Sequence, residues 1–563
     1  MATTPFFAES YQRPDIDAAR ADARRLAAAV TGATTGAAAV EAVGEWNRLR
    51  SRLDTQFNVA TVRYHQNTTD PAARAEQDFW NDAAPAVREL EVMHARALLE
   101  TPHRQALVDA FGPQLLALKE NAAATFAPAI KDHLAEEARL NTRYTELTAR
   151  PEVEFRGQKY TLMGIARFFT DGDRATRLEA HQARERFLVA NLAELDSIYD
   201  RLVELRHGMG KALGFDNFIP LGYRLMNRCG YGPAEVTAFR SALRAEIVPL
   251  AVEMKKQQRT RLGIDKVLFH DELVRDPQGN ARPFGDGAQI LAAAKKMYAE
   301  LHPELGEFMD MMIARDLLDV ELRDGKAPGG FCTQFADLGV PFVFASFNGT
   351  EDDIHVITHE CGHAFQCWAS RKLPLVDFAF PTAEAAEIHS MSMEFMTYPW
   401  MELFFAGTEA ERYRRTHLER SIDILPYCAA VDHFQEEIYR NPELKPAQRH
   451  ALWRDMERAY LPFRDYGGLF PHFEAGGLWQ RQLHIYGMPF YYVDYALAEV
   501  CALQFHAKIV ADRKAALADY LAICRVGGSL SFTDILTVGK LSSPFLPATI
   551  ASVANHVRTH LAA

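Results

Sequence analysis

A mainly α fold follows from three features of the 563-residue chain. Apolar residues recur at spacings of three and four along most of its length, the period of an amphipathic helix. The first 150 residues are rich in Ala, Leu, Glu, Gln and Arg, all good helix formers apart from their context. Only two segments read as strand. At roughly 150 residues per domain, the length permits three or four domains or one large helical body. Such a chain buries a sizeable core without disulfide staples.

The elements follow in order. Residues 84–99 and 114–126 carry the helical period, and breaks are expected near Pro71, Pro102, Pro128 and Pro151. Across residues 153–162 the period falls to two on either side of Gly157, which predicts a short hairpin. Helical patterning resumes from Arg174 to about Gly210, and again from Pro233 to Arg261. Residues 340–347, Val-Pro-Phe-Val-Phe-Ala-Ser-Phe, are rich in β-formers and end at an Asn348-Gly349 turn. From Thr350 onward the pattern is helical, punctuated by Gly and Pro. There is no repeat, low-complexity tract or obvious linker, so one helical body with a small sheet is expected.

Composition narrows the function. Sixty-two Lys and Arg against 74 Asp and Glu give a net charge of −12, which argues against a general nucleic-acid or anionic-membrane partner. The seven cysteines are odd in number, scattered and without a Cys-x-x-Cys pair; they read as reduced thiols. No basic-then-apolar leader or membrane-length apolar run is visible, so the expected location is cytoplasmic. The sequons at Asn67 and Asn348 carry no meaning there. Gly208-Met209-Gly210-Lys211 superficially resembles a phosphate loop, but its spacing fits no nucleotide fingerprint and it follows a helical pattern.

The chemistry lies among the 20 histidines. His359-Glu360-Cys361-Gly362-His363 is an H-E-x-x-H sequence, a match expected by chance on the order of once in twenty chains of this kind. Thr350 and Asp353 form a capping-box-like start for a helix through it. On that helix His359 and His363 lie one turn apart, able to converge on one Zn²⁺, while Glu360 can reach a water. A catalytic zinc takes a third protein ligand and keeps one position open. Glu384, Glu387 and Glu394, on a second helical segment, are all candidates, and spacing does not choose among them. His355 lies one turn before His359; a straight helix does not bring three successive turns to one metal, so it reads as an outer or packed histidine. His389 stands as either a substrate contact or an outer support.

These residues carry a likeness. His359-Glu-Cys-Gly-His363-Ala-Phe-Gln followed by Glu387-Ile-His-Ser-Met-Ser-Met-Glu394 resembles the zinc peptidases of the thimet oligopeptidase and oligoendopeptidase F family, most of all the bacterial Pz-peptidase or oligoendopeptidase F type. Gly329-Gly330-Phe331-Cys332-Thr333, residues 347–350 and residues 489–496 add to it, over a span from about residue 150 to Gly527-Gly528-Ser529. The resemblance implies a two-lobed helical ellipsoid with a deep substrate channel and a small sheet beside the zinc helix. It implies residues 1–150 as helical cover and 151–563 as the catalytic region.

The resemblance also implies roles. One Zn²⁺ per chain would be held by His359, His363 and Glu387, leaving Glu384 solvated or in an outer position and Glu394 as a brace. Glu360 would be the general base of peptide hydrolysis. His484, with Tyr492 and Tyr495, would stabilise the oxyanion; the His-to-Tyr spacing is one residue shorter than in thimet oligopeptidase, so Tyr491 and Tyr492 both stand as residues that could face the metal. From the residues alone, Tyr492 and Tyr495 share a face of a helix started by Pro489, which could equally be an aromatic core stripe.

The strand around Val343–Phe347, through Phe344 and Ala345, would pair with an extended peptide in edge-strand mode, with Gly329 and Gly330 leaving room for it. Short unstructured peptides are the expected partners of a monomer or homodimer, with cleavage at internal bonds. The alternatives are a zinc carboxypeptidase or dipeptidyl carboxypeptidase on the same scaffold, and a catalytically silent peptide-binding module.

Overall fold

The computed structural model describes Phe6, residues 11–327 and residues 329–562. Helix makes up 72% of the structure and strand 4%, so the fold is mainly α with two small sheets. The chain forms two compact units, each gathered from three stretches.

The first unit comprises residues 1–126, 282–410 and 501–542. Its N-terminal helices include Ile16–Thr31, Gly36–Gln66, Pro71–Glu100 and Gln114–Ala124. Pro71 occupies the first helical turn behind an Asp70 cap, where its missing N–H costs nothing. Pro85, by contrast, lies inside the same helix, where the sequence pattern gave no break.

A three-stranded sheet lies at the heart of this unit: β3 (Leu318–Glu321), β4 (Phe331–Phe335) and β5 (Val340–Phe347), numbered after a hairpin in the other unit. The order is β3-β5-β4, parallel between β3 and β5 and antiparallel between β4 and β5, with Phe331 opposite Phe344 and Phe335 opposite Val340. Residues 340–345 are all buried. A strand covered by helices on both faces needs no polar alternation, which explains the unbroken apolar run. The Gly36–Gln66 helix packs against β4, and the Glu351–Ser370 helix against β5. The sequence pattern revealed β5 but not β3 or β4, which are only four and five residues long.

The Glu351–Ser370 and Ala383–Met396 helices pack closely together. Thr350 occupies the N-cap of the first without capping through its side chain. Its hydroxyl donates instead to Asn348 Oδ1 (2.7 Å), and the Asp353 carboxylate accepts the Asn348 and Gly349 N–H groups (2.9 and 2.7 Å). The turn is therefore tied to the helix by the acidic half of the expected capping box alone.

The second unit comprises residues 127–281, 411–500 and 543–563. It holds the hairpin of β1 (Val153–Phe155) and β2 (Gln158–Tyr160), turned by Arg156 and Gly157 at φ 49° and 78°. The helical run from Arg174 is two helices, Arg174–Ala190 and Leu192–Ala212, and a long helix spans Pro233–Leu262. Gly208 and Gly210 fall inside the Leu192–Ala212 helix and form no loop, so they cradle no phosphate.

Gly362 explains the closeness of the two helices in the first unit. A Cβ at this position would lie 2.6 Å from Ser390 Cα and 2.8 Å from the His389 carbonyl oxygen. Backbone cannot yield as a side-chain tip can, so the helices would have to separate. Gly362→Ala is expected to lower stability by about 1–3 kcal/mol, the usual cost of overpacking. A falling denaturant midpoint measures it; an unchanged midpoint would show that the helices have room to spare.

Candidate active site

Seven side chains of the first unit gather where these two helices touch: His355, His359, Glu360, His363, Glu387, Ser390 and Glu394. His359 and His363 project from one helix, and Glu387 faces them from the other. Glu387 Oε2 lies 3.3 Å from His359 Nε2 and 3.5 Å from His363 Nε2. The three ligand atoms all lie within 4.8 Å of one another. Tetrahedral zinc with bonds of ~2.0–2.1 Å sets its ligand atoms about 3.3 Å apart. Two imidazole nitrogens and one carboxylate oxygen at these separations fit such an ion and leave its fourth position open.

The surroundings orient each donor. Glu394 Oε1 is 2.7 Å from His359 Nδ1, and its Oε2 is 3.1 Å from His355 Nδ1. With Nδ1–H pointed at this carboxylate, His359 turns the lone pair of Nε2 inward. Ser390, one turn after Glu387, donates its hydroxyl to Glu387 Oε2 at 3.1 Å.

The electrostatics favour a positive charge between these groups. Burial raises the Glu387 carboxyl, but hydrogen bonds from His359 and His363 prevail and hold it far below the usual carboxylate range. Burial lowers His359, yet Glu387 and Glu394 together hold it well above its ordinary value. Such a site attracts a cation.

Glu360 adjoins the trio and is buried. Burial raises its carboxyl, with His359 and His363 pulling it partly back. Gly330 lies beside it: a Cβ there would stand 3.7 Å from Glu360 Oε1 and 3.3 Å from Val356 Cγ1. Gly329 precedes it at φ 105°, a conformation that favours glycine. The start of β4 thus runs against the carboxylate.

Other expectations change on inspection of the fold. β5 is the central strand, with β3 and β4 on its two sides, so it has no edge to offer a peptide. The Val343 N–H is already committed to Leu317 O at 2.9 Å, and Phe344 and Ala345 are buried. The outer strands are β3 and β4, and the one whose start lies beside Glu360 is β4. Because Val343 turns its N–H toward β3, its neighbour Cys332 turns its own N–H and C=O away from β5. Gln334 points the same way, and its carbonyl accepts from Asn58 Nδ2 at 3.0 Å. Glu384 is fully buried, which excludes the solvated position considered for it. His389 is fully buried too, its ring edge-on to Tyr520 and its carbonyl accepting from the Tyr520 hydroxyl (3.0 Å). Its ring is enclosed by packing and has no exposed surface in this structure.

The aromatic residues belong to the second unit. His484 stacks on Tyr491 (centroids 5.6 Å apart) and meets Tyr492 and Tyr495 edge-on at 5.0 and 6.1 Å. All four are half-buried, while Val493, Asp494 and Ala496 are buried. Two buried arginines anchor this segment. Arg206 binds Glu137 (2.7 Å), Tyr439 Oη (2.9 Å) and the Tyr486 carbonyl. Arg228 pairs with Asp494 (2.6 Å) and also holds the Phe490 carbonyl. Phe490, at φ 68°, fills the space left by Gly222, where a Cβ would lie 2.6 Å from its ring. Sequence inspection missed Ser390, whose signal was its place one turn after Glu387. It also missed Cys332 and the arginine anchors, which have no local signature.

Comparison with known proteins places this arrangement. The description "Peptidase M3 N-terminal domain" matches residues 6–126, and "Peptidase family M3" matches residues 168–545. The chain belongs to peptidase family M3. A solved structure of Pz peptidase A with an inhibitor is 41% identical, with a TM-score of 0.94 and 99% of each chain covered. A protein assigned as an oligoendopeptidase F is 42% identical, with a TM-score of 0.94 over 100% of this chain and 99% of that one. Another so assigned, from Bacillus anthracis, is 37% identical, with a TM-score of 0.90 over 99% and 98%. No curated protein matches.

The geometry gives Glu394 a measurable role. Glu394→Gln is expected to weaken Zn²⁺ binding about 10- to 100-fold, as loss of an outer carboxylate does. Competition with a chromophoric chelator reads this directly, and an unaltered affinity would deny Glu394 its hold on His359.

Proposed function

We propose that this peptidase is a zinc-dependent endopeptidase that hydrolyses internal bonds of short, unstructured peptides. One observation carries the reading. A trio suited to zinc, a buried carboxylate beside it and the start of an outward-facing strand edge all adjoin one another in a single unit. The identity to Pz peptidase A and to proteins assigned as oligoendopeptidase F supports the peptide class of substrate.

His359, His363 and Glu387 would hold the metal. Bound Zn²⁺ supplies a Lewis acid that lowers the pKa of water from 15.7 to roughly 7 and polarises the scissile carbonyl. The outward N–H and C=O of Cys332 offer an extended peptide backbone two hydrogen bonds, an affinity that depends little on its side chains. Glycine at 329 and 330 lets that backbone lie close to Glu360. The Glu360 carboxylate takes the proton of the attacking water and returns it to the leaving amine. His484, Tyr492 and Tyr495 are the proposed donors to the developing oxyanion, with Tyr491 stacked on His484.

Two substitutions test the roles. Glu360→Gln is expected to retain stoichiometric zinc and lose turnover; normal activity in this variant would sink the mechanism. Tyr495→Phe is expected to lower kcat about 10²- to 10³-fold with little change in KM, the loss typical of one oxyanion donor. A raised KM at unchanged kcat would instead make Tyr495 an ordinary binding residue. Cleavage of a quenched peptide blocked at both ends, abolished by chelation and restored by Zn²⁺, is expected of an endopeptidase. Failure on the blocked peptide, with cleavage of its free-carboxylate form, would establish a carboxypeptidase.

A further inference from the structure

We propose that Gln482 is a positioning residue that holds His484 as the neutral tautomer with its proton on Nε2, through a hydrogen-bond chain whose direction Arg481 sets. The inference deepens the reading above and rests on it in one respect, that His484 donates to the oxyanion.

Four side chains of the second unit form the chain. Arg481 Nη2 lies 3.3 Å from the Tyr427 hydroxyl oxygen, which lies 2.8 Å from Gln482 Oε1. Gln482 Nε2 then lies 2.9 Å from His484 Nδ1. Each link follows from what the preceding group can do. A guanidinium has only donors and keeps its charge at any pH the protein meets. The Tyr427 oxygen therefore accepts from Arg481, and its single proton passes onward. Burial holds the Tyr427 phenol above its ordinary value, so that proton is present.

A donating phenol requires a carbonyl opposite it, which turns Gln482 Oε1 toward Tyr427. The amide is planar, so its NH₂ must then face His484. That group has no lone pair to give. His484 Nδ1 must accept, and an accepting Nδ1 carries no proton. The single imidazole proton resides on Nε2, at the far side of the ring. A doubly protonated ring would set Nδ1–H against N–H, giving up a hydrogen bond and adding repulsion.

The ring is also flanked by aromatic side chains. It lies between the stacked face of Tyr491 and the edge of Tyr492, and Tyr427 itself meets Tyr492 edge-on at 5.6 Å. Arg481 thus acts on His484 through Tyr427 and Gln482. The consequence for catalysis is a neutral donor held ready, with no proton to be gained or lost before it meets the oxyanion.

The full-length protein labelled with ¹⁵N-histidine tests this. Long-range ¹H–¹⁵N spectra report which ring nitrogen is protonated, and the spectrum of His484→Gln identifies the resonances of His484. The native protein is expected to show an unprotonated Nδ1 and a protonated Nε2. In Gln482→Glu, whose carboxylate only accepts, Nδ1 is expected to become protonated, and kcat to fall about 10²-fold with KM within twofold. Should that variant not fold, Tyr427→Phe removes the directing proton and is expected to show both tautomers. A protonated Nδ1 in the native protein, or ring nitrogens unmoved in a folded Gln482→Glu, overturns the proposal. The spectra need no substrate. A native protein with Nε2–H on His484 but no peptidase activity would refute the peptidase reading and leave the tautomer assignment standing.

Discussion

Two helices can bring His359, His363 and Glu387 together here only because residue 362 has no side chain. The Cβ of any other residue would meet the backbone of the Ala383–Met396 helix at Ser390 and His389, and the helices would move apart. The ligand separations near 3.3–3.5 Å leave no slack for that movement. Once the helices touch, three consequences follow from periodicity alone. Glu387 faces the imidazoles, Ser390 one turn on steadies its carboxylate, and Glu394 a further turn along reaches the outer nitrogen of His359.

The proposed function poses a second problem for the same unit, that of bringing a polar chain next to a buried carboxylate. A sheet strand with an unpaired side offers backbone groups, but a strand enclosed by neighbours does not. β5 is the apolar, enclosed strand and serves as support; β4, one of the two outer strands, is the one that starts beside Glu360. The two glycines before β4 let its first residues pass close to Glu360. Structural burial and chemical access are thereby assigned to adjacent strands.

In the second unit, charge does the positioning. Arg206 and Arg228 are fully buried, yet each is paired with a carboxylate and also holds a main-chain carbonyl of the 486–490 segment. A buried guanidinium left without its partners is costly, so the segment is held in one arrangement. The tyrosines and His484 are fixed through it, and the amide of Gln482 determines which nitrogen of His484 can donate. Carboxylates orient histidine in one unit, and an amide does so in the other.

The sequence by itself determined the features that depend on neighbours along one chain segment. Helical period, the hairpin at Gly157, the apolar β5 run and the one-turn spacing of His359 and His363 are all local, and each was legible. The choice of Glu387 over Glu384 and Glu394 was not, because all three recur at helical spacing and differ only in what the opposite helix presents to them. Its assignment comes from family likeness; the separations show only that its carboxylate lies 3.3 and 3.5 Å from the two imidazole Nε2 atoms. Likewise β3 and β4 were too short to stand out, so the strand taken for an edge proved to be the centre. Glu384 and His389 are polar by type and buried by packing, something composition does not foretell. Only the tertiary structure decided which backbone edge faces outward, which His359 nitrogen faces the carboxylate of Glu394, and which way Tyr427 turns the Gln482 amide beside His484, because those properties depend on residues tens of positions or more away.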